Sequence, residues 1–509
     1  MTKLERVAAI ALAVFILTIA PPAASVVSLE REAMHADIDF VVDKIVLAHP
    51  GFHAASERSR QFRQQADALK RSMEEPMSRP RFYARLATLI NTLRDGHTEM
   101  LWPSADVMAY LEDGGLIFPV DIEVLEGKLY VGRNYRQEDA TLPRGARLLS
   151  INGVPADEFL DEILSLVPSA TPGWRERRLS GQNDLAKALI WARYGWQGPF
   201  RIRYSHKDRS REIRLPGITR SDMKAQREER PDEPPIVYDR LEETIGSLRV
   251  RSFALEEKAF EKVLDRALQS LRKHGPESLI VDVRDNPGGD SANAEVLLSA
   301  FIEQPVSLNR AVSVRASADF KAQMKERIPG FVRWLPVQHL DREGHRIWSA
   351  DEGDMVAIDE PPVEPRRASR RYRGRVYVLT NGGTFSTASM FAAAIKRHEL
   401  GTLVGQASGG SATTMLAHPL RFTLPNSELV LQVSSMRFHV DGQVAAQPPG
   451  GVVPDVHVRR TLPAILSDTD STLEAAVNHA REASGGPRSG VADGKNSSIA
   501  DGIGFYSGP

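Results

Sequence analysis

Apolar residues recur every three or four positions between residues 29 and 93. This spacing places the apolar side chains on one face of a helix. Ser78 followed by Pro80 is a typical start of the later helix. Two such stripes are formed by Ile38, Val41 and Ile45, and by Phe82, Leu86 and Leu89. The pattern predicts a helical N-terminal domain over residues 28–108.

Over residues 109–216 the pattern changes, and apolar residues alternate with other residues. Apolar side chains stand at every second position in Phe118, Val120, Ile122 and Val124, which predicts a half-buried strand. Further strands are predicted at 129–131, 200–204 and 211–215, the last two closed as a hairpin near residues 207–208. An amphipathic helix is predicted from about residue 154 to 164. This region is predicted to be a β-rich module.

A third pattern follows a polar linker at residues 217–235, which holds many charged residues and prolines. From residue 236 to 483, apolar strands alternate with helices: the strands at 278–283 and 376–379 are each followed by a Gly-bearing turn and a helix, and 403–404 is a third strand. This order predicts an α/β layer with at least partly parallel strands. Residues 484–509 are rich in Gly, Ser and Asp and are predicted to be a disordered tail.

The first residues indicate export. Lys3 and Arg6 precede an apolar run at 7–20, and small residues follow at 23–25, as in a secretory signal peptide over residues 1–24. Pro22 stands three residues before the expected cut, so an uncleaved membrane anchor stays an alternative, as does a buried helix. The expected location is periplasmic or secreted, which counts against enzymes that need ATP, NAD or coenzyme A.

Composition narrows the classes of function further. Lys and Arg number 65 against 66 Asp and Glu, which argues against a dedicated nucleic-acid binder. Cysteine is absent, which excludes disulfides, thiolate metal sites and a Cys nucleophile. No cofactor and no metal are expected.

The strongest candidate for chemistry is Ser386. A buried strand leads into a Gly-bearing turn at 381–383, and Ser386 then opens a helix. The free N–H groups at a helix N-terminus are what an oxyanion hole needs. A serine that merely caps the helix is the commoner explanation for this segment taken alone.

Two other segments complete the set. Gly288 and Gly289 follow a strand and allow another backbone or a ligand to approach closely, although a simple turn explains them as well. His97 lies in a polar turn after an apolar helix, and an imidazole suits proton removal from a hydroxyl. The chain has 13 histidines, so this one means little by itself.

Taken together and in order, the segments resemble the S41 peptidases, the family of the C-terminal processing proteases and the tricorn core. The resemblance covers roughly residues 30–480. Its motifs are the Asp-Gly-His-Thr turn at 95–98, the Gly-to-Gly segment at 145–153, the run at 282–289, the serine segment at 381–389, the strand and loop at 404–410, and the closing Gly-Val-Val-Pro-Asp segment at 451–458.

This resemblance implies a crotonase-like α/β catalytic domain at 236–483, with a PDZ-like character for the β-rich module. It makes Ser386 the nucleophile and His97 the base. The backbone N–H groups of Thr387 and of Gly288 or Gly289 would form the oxyanion hole.

The chain departs from the family pattern at three positions. Ser411 stands where one branch of the family has a Lys base, which favours the His-using branch. Ser389 stands where a Glu usually follows the nucleophile. Gln447 stands near the position of a supporting Glu before the closing strand. The third catalytic residue is therefore not assigned by the sequence.

Three functions follow from these observations. The first is an extracytoplasmic serine peptidase acting on peptides or proteins, in which the PDZ-like region could add a bound peptide as an extra strand. The second is a catalytically silent protein on the same scaffold that binds a peptide or a hydrophobic ligand, an alternative raised by the missing acids. The third is an acyl enzyme acting on a coenzyme A thioester, which export disfavours.

Overall fold

The computed structural model describes residues 28–53, 56–136, 142–181, 184–227, 234–326, 342–440 and 450–485. The predicted signal peptide, most of the predicted tail, part of the predicted linker and Gln447 lie outside these ranges. Within them, no helix is both long and apolar enough to cross a membrane.

The N-terminal region is helical, as its apolar stripes predict. Buried Met34, Ile38 and Val41 form the inner face of its first long helix. Ser78 precedes a later helix with a proline in its first turn, as predicted. In chain order the elements are β1 (Ser28–Leu29), α1 (Arg31–Ala48), α2 (Glu57–Arg71), β2 (Met77–Ser78), α3 (Arg79–Asn91), β3 (Glu99–Met100) and α4 (Ser104–Glu112).

The β-rich region is one antiparallel sheet packed by helices. The predicted hairpin is confirmed: Lys207 and Asp208 form its turn at positive φ, and His206 pairs with Arg209. The elements are β4 (Val120–Leu125), β5 (Lys128–Asn134), β6 (Arg147–Ile151), β7 (Val154–Pro155), α5 (Ala156–Leu164), α6 (Pro172–Leu179), α7 (Asp184–Tyr194), β8 (Phe200–His206), β9 (Arg209–Leu215) and α8 (Arg220–Ala225). The strand order is β4-β5-β6-β8-β9, with β7 beside β6.

Strand β4 differs from its prediction, because both of its faces are buried. The polar positions between its apolar residues carry Asp121 and Glu123, which the sequence pattern assigns to solvent. Asp121 instead forms a buried ion pair with Lys187 of α7, and the Tyr135 hydroxyl donates to Asp121 at 2.6 Å. A carboxylate can be buried when it is paired with a cation. A prediction from the alternation of apolar and polar residues therefore makes this strand more exposed than it is.

The remaining chain alternates strands and helices. Its elements are β10 (Ile236–Arg240), β11 (Ile245–Val250), α9 (Glu257–His274), β12 (Ser278–Asp282), α10 (Ser291–Leu298), β13 (Ala311–Arg315), α11 (Ala318–Glu326), α12 (Arg342–Ser349), β14 (Met355–Ile358), β15 (Arg375–Thr380), α13 (Thr387–Arg397), β16 (Thr402–Gly405), β17 (Thr414–Thr423), β18 (Val430–His439), β19 (Val456–His457), α14 (Leu462–Leu466) and α15 (Ser471–Ala483). The main sheet has the order β10-β11-β12-β15-β16-β19. In this order, each strand from β11 onward is parallel to the next. The predicted mixed α/β architecture with several domains is confirmed.

A second, antiparallel sheet in this region was not predicted. Its order is β14-β13-β18-β17, and β3 of the helical region pairs with β18. Met100 lies opposite Leu431, and Glu99 lies opposite Gln432. This pairing carries the turn before β3 onto the α/β part of the molecule.

Buried contacts reinforce that junction. The buried carboxylate of Asp37 in α1 accepts three hydrogen bonds from Asn426 and Ser427, at 2.8–3.0 Å. The Arg315 guanidinium on β13 donates to the Leu47 carbonyl at 2.8 Å, at the end of α1. One apolar core runs without a break from the helical region through the β-rich region to β17 and β18. The helical region is therefore fixed firmly against the second sheet.

Candidate active site

Two turns meet at the carboxyl edge of the main sheet. Strands β12 and β15 are parallel neighbours, so the turns that follow them emerge side by side. The N–H of Phe385 donates to the Asn286 carbonyl at 2.9 Å, and the Thr384 hydroxyl donates to the Val283 carbonyl at 2.9 Å. The fold thus places the Gly-Gly turn directly against the serine turn.

Ser386 sits in a backbone conformation that side chains rarely adopt. Its φ is +51° and its ψ is −129°, at the position before the first residue of α13. Its side chain makes no hydrogen bond to cap that helix. Simple capping therefore does not describe this serine, and its hydroxyl is turned toward a different partner.

That partner is His97, which lies 289 residues earlier in the chain. The Nε2 atom of His97 lies 3.0 Å from the Ser386 hydroxyl oxygen. The junction of β3 with β18 carries His97 to this position. The structure thus brings together the two side chains that the sequence singled out from separate regions.

The imidazole of His97 is held on its other sides as well. The backbone of Leu416 on β17 lies beside the ring and acts to raise the pKa of His97. Since Nε2 faces Ser386, Nδ1 is the nitrogen left to donate to the Leu416 carbonyl. The ring stacks on Phe385 with centroids 4.9 Å apart, and Phe385 stacks on Trp174 at 4.1 Å. Sequence reasoning missed Leu416, Phe385 and Trp174, because a carbonyl and two apolar rings carry no motif.

The charge state of His97 suits a base. Burial lowers the pKa of His97 below its ordinary value, against the opposing effects of the Asp95 charge and the Leu416 backbone. A lowered pKa keeps the imidazole neutral at neutral pH, so that Nε2 can accept a proton.

Backbone N–H groups beside the serine differ in their availability. The N–H of Gly288 donates to the Asn286 side chain at 2.9 Å. Within the described ranges, the N–H groups of Thr387 and Gly289 donate no hydrogen bond. Of the two glycines considered, Gly289 is thus the one whose N–H is not already used.

The positions that depart from the family pattern have structural partners. The buried Ser389 hydroxyl donates to the Thr384 carbonyl at 2.8 Å and accepts from the N–H of Gly410 at 3.1 Å. The buried Ser411 hydroxyl accepts from the N–H groups of Thr413 and Thr414, both at 3.3 Å. Both serines tie loops together and neither contacts His97.

A cavity of about 1420 Å³ opens beside the serine turn, between the β-rich region and the main sheet. Trp174, Pro287 and Gly383 are among its lining residues, and the ion pair between Arg177 and Asp285 lies in its wall. Among the described residues, no group of three or more His, Asp or Glu side chains could hold a metal ion.

Comparison with known proteins shows what part of the chain resembles a known family. The family model for peptidase family S41 matches residues 244–458. The carboxy-terminal processing protease CtpA of Bacillus subtilis (strain 168) is 24% identical over 207 residues, which make up 40% of this chain and 34% of that protein. The match therefore spans about a third of that relative's length.

Solved structures share the fold. Mature CPAF has a TM-score of 0.60 at 14% identity, and the match covers 89% of this chain and 97% of CPAF. Mature CPAF complexed with lactacystin has a TM-score of 0.61 at 14% identity, with 89% and 98% covered. The turns that carry Gly288 and Ser386 lie inside the segment that the family model matches. Residues 244–458 of this chain therefore match the model of peptidase family S41, the family that the sequence motifs resemble.

Proposed function

We propose that the protein is an extracytoplasmic serine peptidase, in which Ser386 forms an acyl-enzyme and His97 is the general base. The observation that carries this proposal is the 3.0 Å contact between His97 Nε2 and the Ser386 hydroxyl, made between two separate regions of the chain. A hydroxyl within hydrogen-bond reach of a neutral imidazole is the arrangement that activates a serine.

The reaction follows from this geometry. His97 Nε2 takes the Ser386 hydroxyl proton while the serine oxygen bonds to the carbonyl carbon of the substrate amide. The N–H groups of Thr387 and Gly289 are proposed to hold the resulting oxyanion. His97 then gives its proton to the amide nitrogen as the C–N bond breaks. Water, activated by the same imidazole, releases the acyl group and restores the serine.

The orientation of His97 is proposed to come from a carbonyl rather than from a carboxylate. A hydrogen bond to the Leu416 backbone would fix the tautomer with the proton on Nδ1. A neutral carbonyl stabilises the imidazolium less than a contacting carboxylate would. Loss of such a carboxylate costs roughly 10⁴ in turnover in one serine-type triad. Slow turnover is therefore expected.

The substrate is proposed to be a peptide or an extended part of a protein that enters the cavity beside Ser386. Addition of a strand at the outer edge of β4 is less favourable, because backbone groups of that edge are already hydrogen-bonded. The N–H of Gly181 donates to the Ile122 carbonyl at 2.9 Å, and the N–H of Val124 donates to the Ser180 hydroxyl at 3.0 Å. Since one relative is a carboxy-terminal processing protease, substrates cut near their carboxyl end are the first to test.

Labelling by a serine-directed fluorophosphonate tests the proposal on the full chain. Wild-type protein should be labelled, and Ser386→Ala and His97→Ala should lose the label. Ser56→Ala and His398→Ala are matched controls: Ser56 caps α2, and His398 bonds to the Ser307 carbonyl at the far end of α13. Both controls should label like wild type.

The outcomes separate the candidate functions. Loss of label in Ser386→Ala alone would reject His97 as the base. Absence of label in the wild type, with binding of peptide unchanged by Ser386→Ala, would favour the catalytically silent binding protein. Binding of coenzyme A in a calorimeter would favour the thioester alternative.

A further inference from the structure

A buried carboxylate lies directly behind His97 without touching its ring. Asp95 Oδ1 accepts the backbone N–H of His97 at 3.0 Å. Its Oδ2 accepts the hydroxyls of Thr98 and of Ser434 on β18, each at 2.6 Å. Asp95 therefore closes the turn that presents His97 and ties that turn to the second sheet.

A second histidine completes this cluster. His49, at the end of α1, is fully buried, and its Nε2 lies 3.3 Å from Asp95 Oδ2. The Nδ1 atom of His49 accepts the N–H of Gly51 at 2.9 Å, so the ring proton belongs on Nε2, facing Asp95. Burial lowers the pKa of His49, against the opposing effect of Asp95, so the ring is neutral at neutral pH.

Asp95 is ionised in this setting. Burial by itself would raise its pKa, but His49, His97 and the Ser434 hydroxyl together bring the pKa below the ordinary value. Among the described residues, no Lys or Arg side chain forms an ion pair with it. A buried negative charge without a contacting cation acts strongly on its neighbours.

We propose that Asp95, supported by His49, is a positioning residue of the site that also supplies the negative charge favouring the His97 imidazolium. It would hold the His97 turn by its hydrogen bonds and act on the ring through space, in the role that a contacting carboxylate has elsewhere. This inference rests on the proposed function for its catalytic consequence, but its effect on His97 can be measured without any activity.

Other charged side chains lie around Asp95, His49 and His97, and the experiment must take them into account. They are Arg58 on α2, Glu99 on β3, Arg178 on α6, Arg421 on β17 and Arg437 on β18. Burial raises the pKa of Glu99 to about 7, partly opposed by Arg178. Glu99, two residues after His97, therefore changes its charge near neutral pH, so the measurement must report on the imidazole itself. The titration of His97 is also measured in a Glu99→Gln background, which removes the titration of Glu99.

The experiment is an NMR titration of His97 in the full chain carrying labelled histidine, with the His97→Ala spectrum used for assignment. In Asp95→Asn the titration midpoint of His97 should fall by roughly one pH unit, the size of effect expected for loss of a nearby opposite charge. Fluorophosphonate labelling at pH 7 should fall about tenfold or more, with its own midpoint shifted in the same direction.

A second uncharged variant guards against misfolding. In Asp95→Asn, the side-chain NH₂ would face the Nε2–H of His49, so two donors would meet. The His49 ring cannot move its proton to Nδ1 without losing the hydrogen bond from the Gly51 N–H. Asp95→Ser avoids this clash, and its hydroxyl can still accept the His97 N–H. His49→Gln, whose amide can replace Nε2, should change labelling less than His49→Leu does.

Asp37→Asn is the matched control. Asp37 is as buried as Asp95 and accepts three hydrogen bonds, but it lies away from the serine turn. It should lower stability and leave the His97 midpoint unchanged. An unchanged midpoint in whichever uncharged Asp95 variant folds would overturn the inference. Absence of labelling in the wild type would overturn the proposed function alone, because the titration still reads the effect of Asp95 on His97.

Discussion

The two turns at the edge of the main sheet have similar sequences and different roles. Each follows a parallel strand, contains a Gly-Gly pair and leads into a helix. In the first, Gly288 and Gly289 adopt φ of +99° and +141°, and Asp290 caps α10 by accepting the N–H of Ala292 at 3.0 Å. In the second, the unusual φ falls on Ser386, which does not cap its helix.

The difference separates the turn that offers a backbone N–H from the turn that carries the nucleophile. The first turn places its unusual backbone angles on residues that tolerate them and satisfies its helix end with a side chain. The second turn holds a serine in a strained conformation and leaves its hydroxyl free for His97. Strain of this kind persists only where the surroundings impose it, and it is frequent at reactive sites. The following predictions test this contrast.

The largest effect is expected from Ser386→Gly. The substitution removes the hydroxyl, so fluorophosphonate labelling should fall to background. It also relieves a positive φ, so the free energy of unfolding should rise by about 1 kcal/mol after the greater flexibility of glycine is deducted. Glu399→Gly, at a φ of +54° just beyond the other end of α13, should stabilise similarly and keep full labelling. A loss of stability in Ser386→Gly would contradict the strain argument.

Gly288→Ala should come next. An added Cβ would lie 2.7 Å from the Ser386 Cβ and 2.9 Å from the Thr387 nitrogen, so it must displace the serine turn. We expect labelling to fall by about 10²-fold, and unfolding to become easier by about 1–3 kcal/mol. Gly275→Ala is the control for strain alone, since its φ is +58° and its added Cβ would meet no atom within 4 Å. Equal labelling of both variants would show that Gly288 does not support the nucleophile.

The pH dependence of labelling should show a smaller, graded effect. The reactive imidazole must be neutral, and burial, opposed by Asp95 and Leu416, keeps the pKa of His97 below 6.5. The labelling rate of the wild type should therefore be constant above neutral pH and fall toward acid, about tenfold per unit below its midpoint. A midpoint above 6.5 would indicate a different base or a charged imidazole.

The smallest effect on chemistry is expected from Asp290→Ala. It removes the cap of α10 in the supporting turn, which should lower the free energy of unfolding by about 1 kcal/mol. Labelling should stay within about twofold of wild type, because the serine turn keeps its own contacts. Asp290→Ser should recover most of the stability. A large loss of labelling with intact stability would contradict this and show that the Asp290 cap is needed to hold the Gly289 N–H in place.

Local signals in the sequence explain the parts of the fold that were predicted. The Lys207-Asp208 turn, the helix after Ser78 and the strand at 376–379 all rest on residues within a few positions of one another. The strands of the second sheet escaped prediction. Strand β18 is paired on one side with β13, over a hundred residues earlier, and on the other with β17. Its stability comes from those partners, which local periodicity cannot represent.

The sequence by itself determined the candidates: a serine after a Gly-bearing turn, a Gly-Gly turn after another strand, and a histidine in a polar turn. These depend on chemical type and on short spacing, which a linear chain preserves. The tertiary structure decided how they combine. Pairing of β3 with β18 places His97 at Ser386, and packing puts Asp95 and His49 behind it and the Leu416 carbonyl beside it. Contacts between distant segments depend on which surfaces bury each other, and that information belongs to the whole fold.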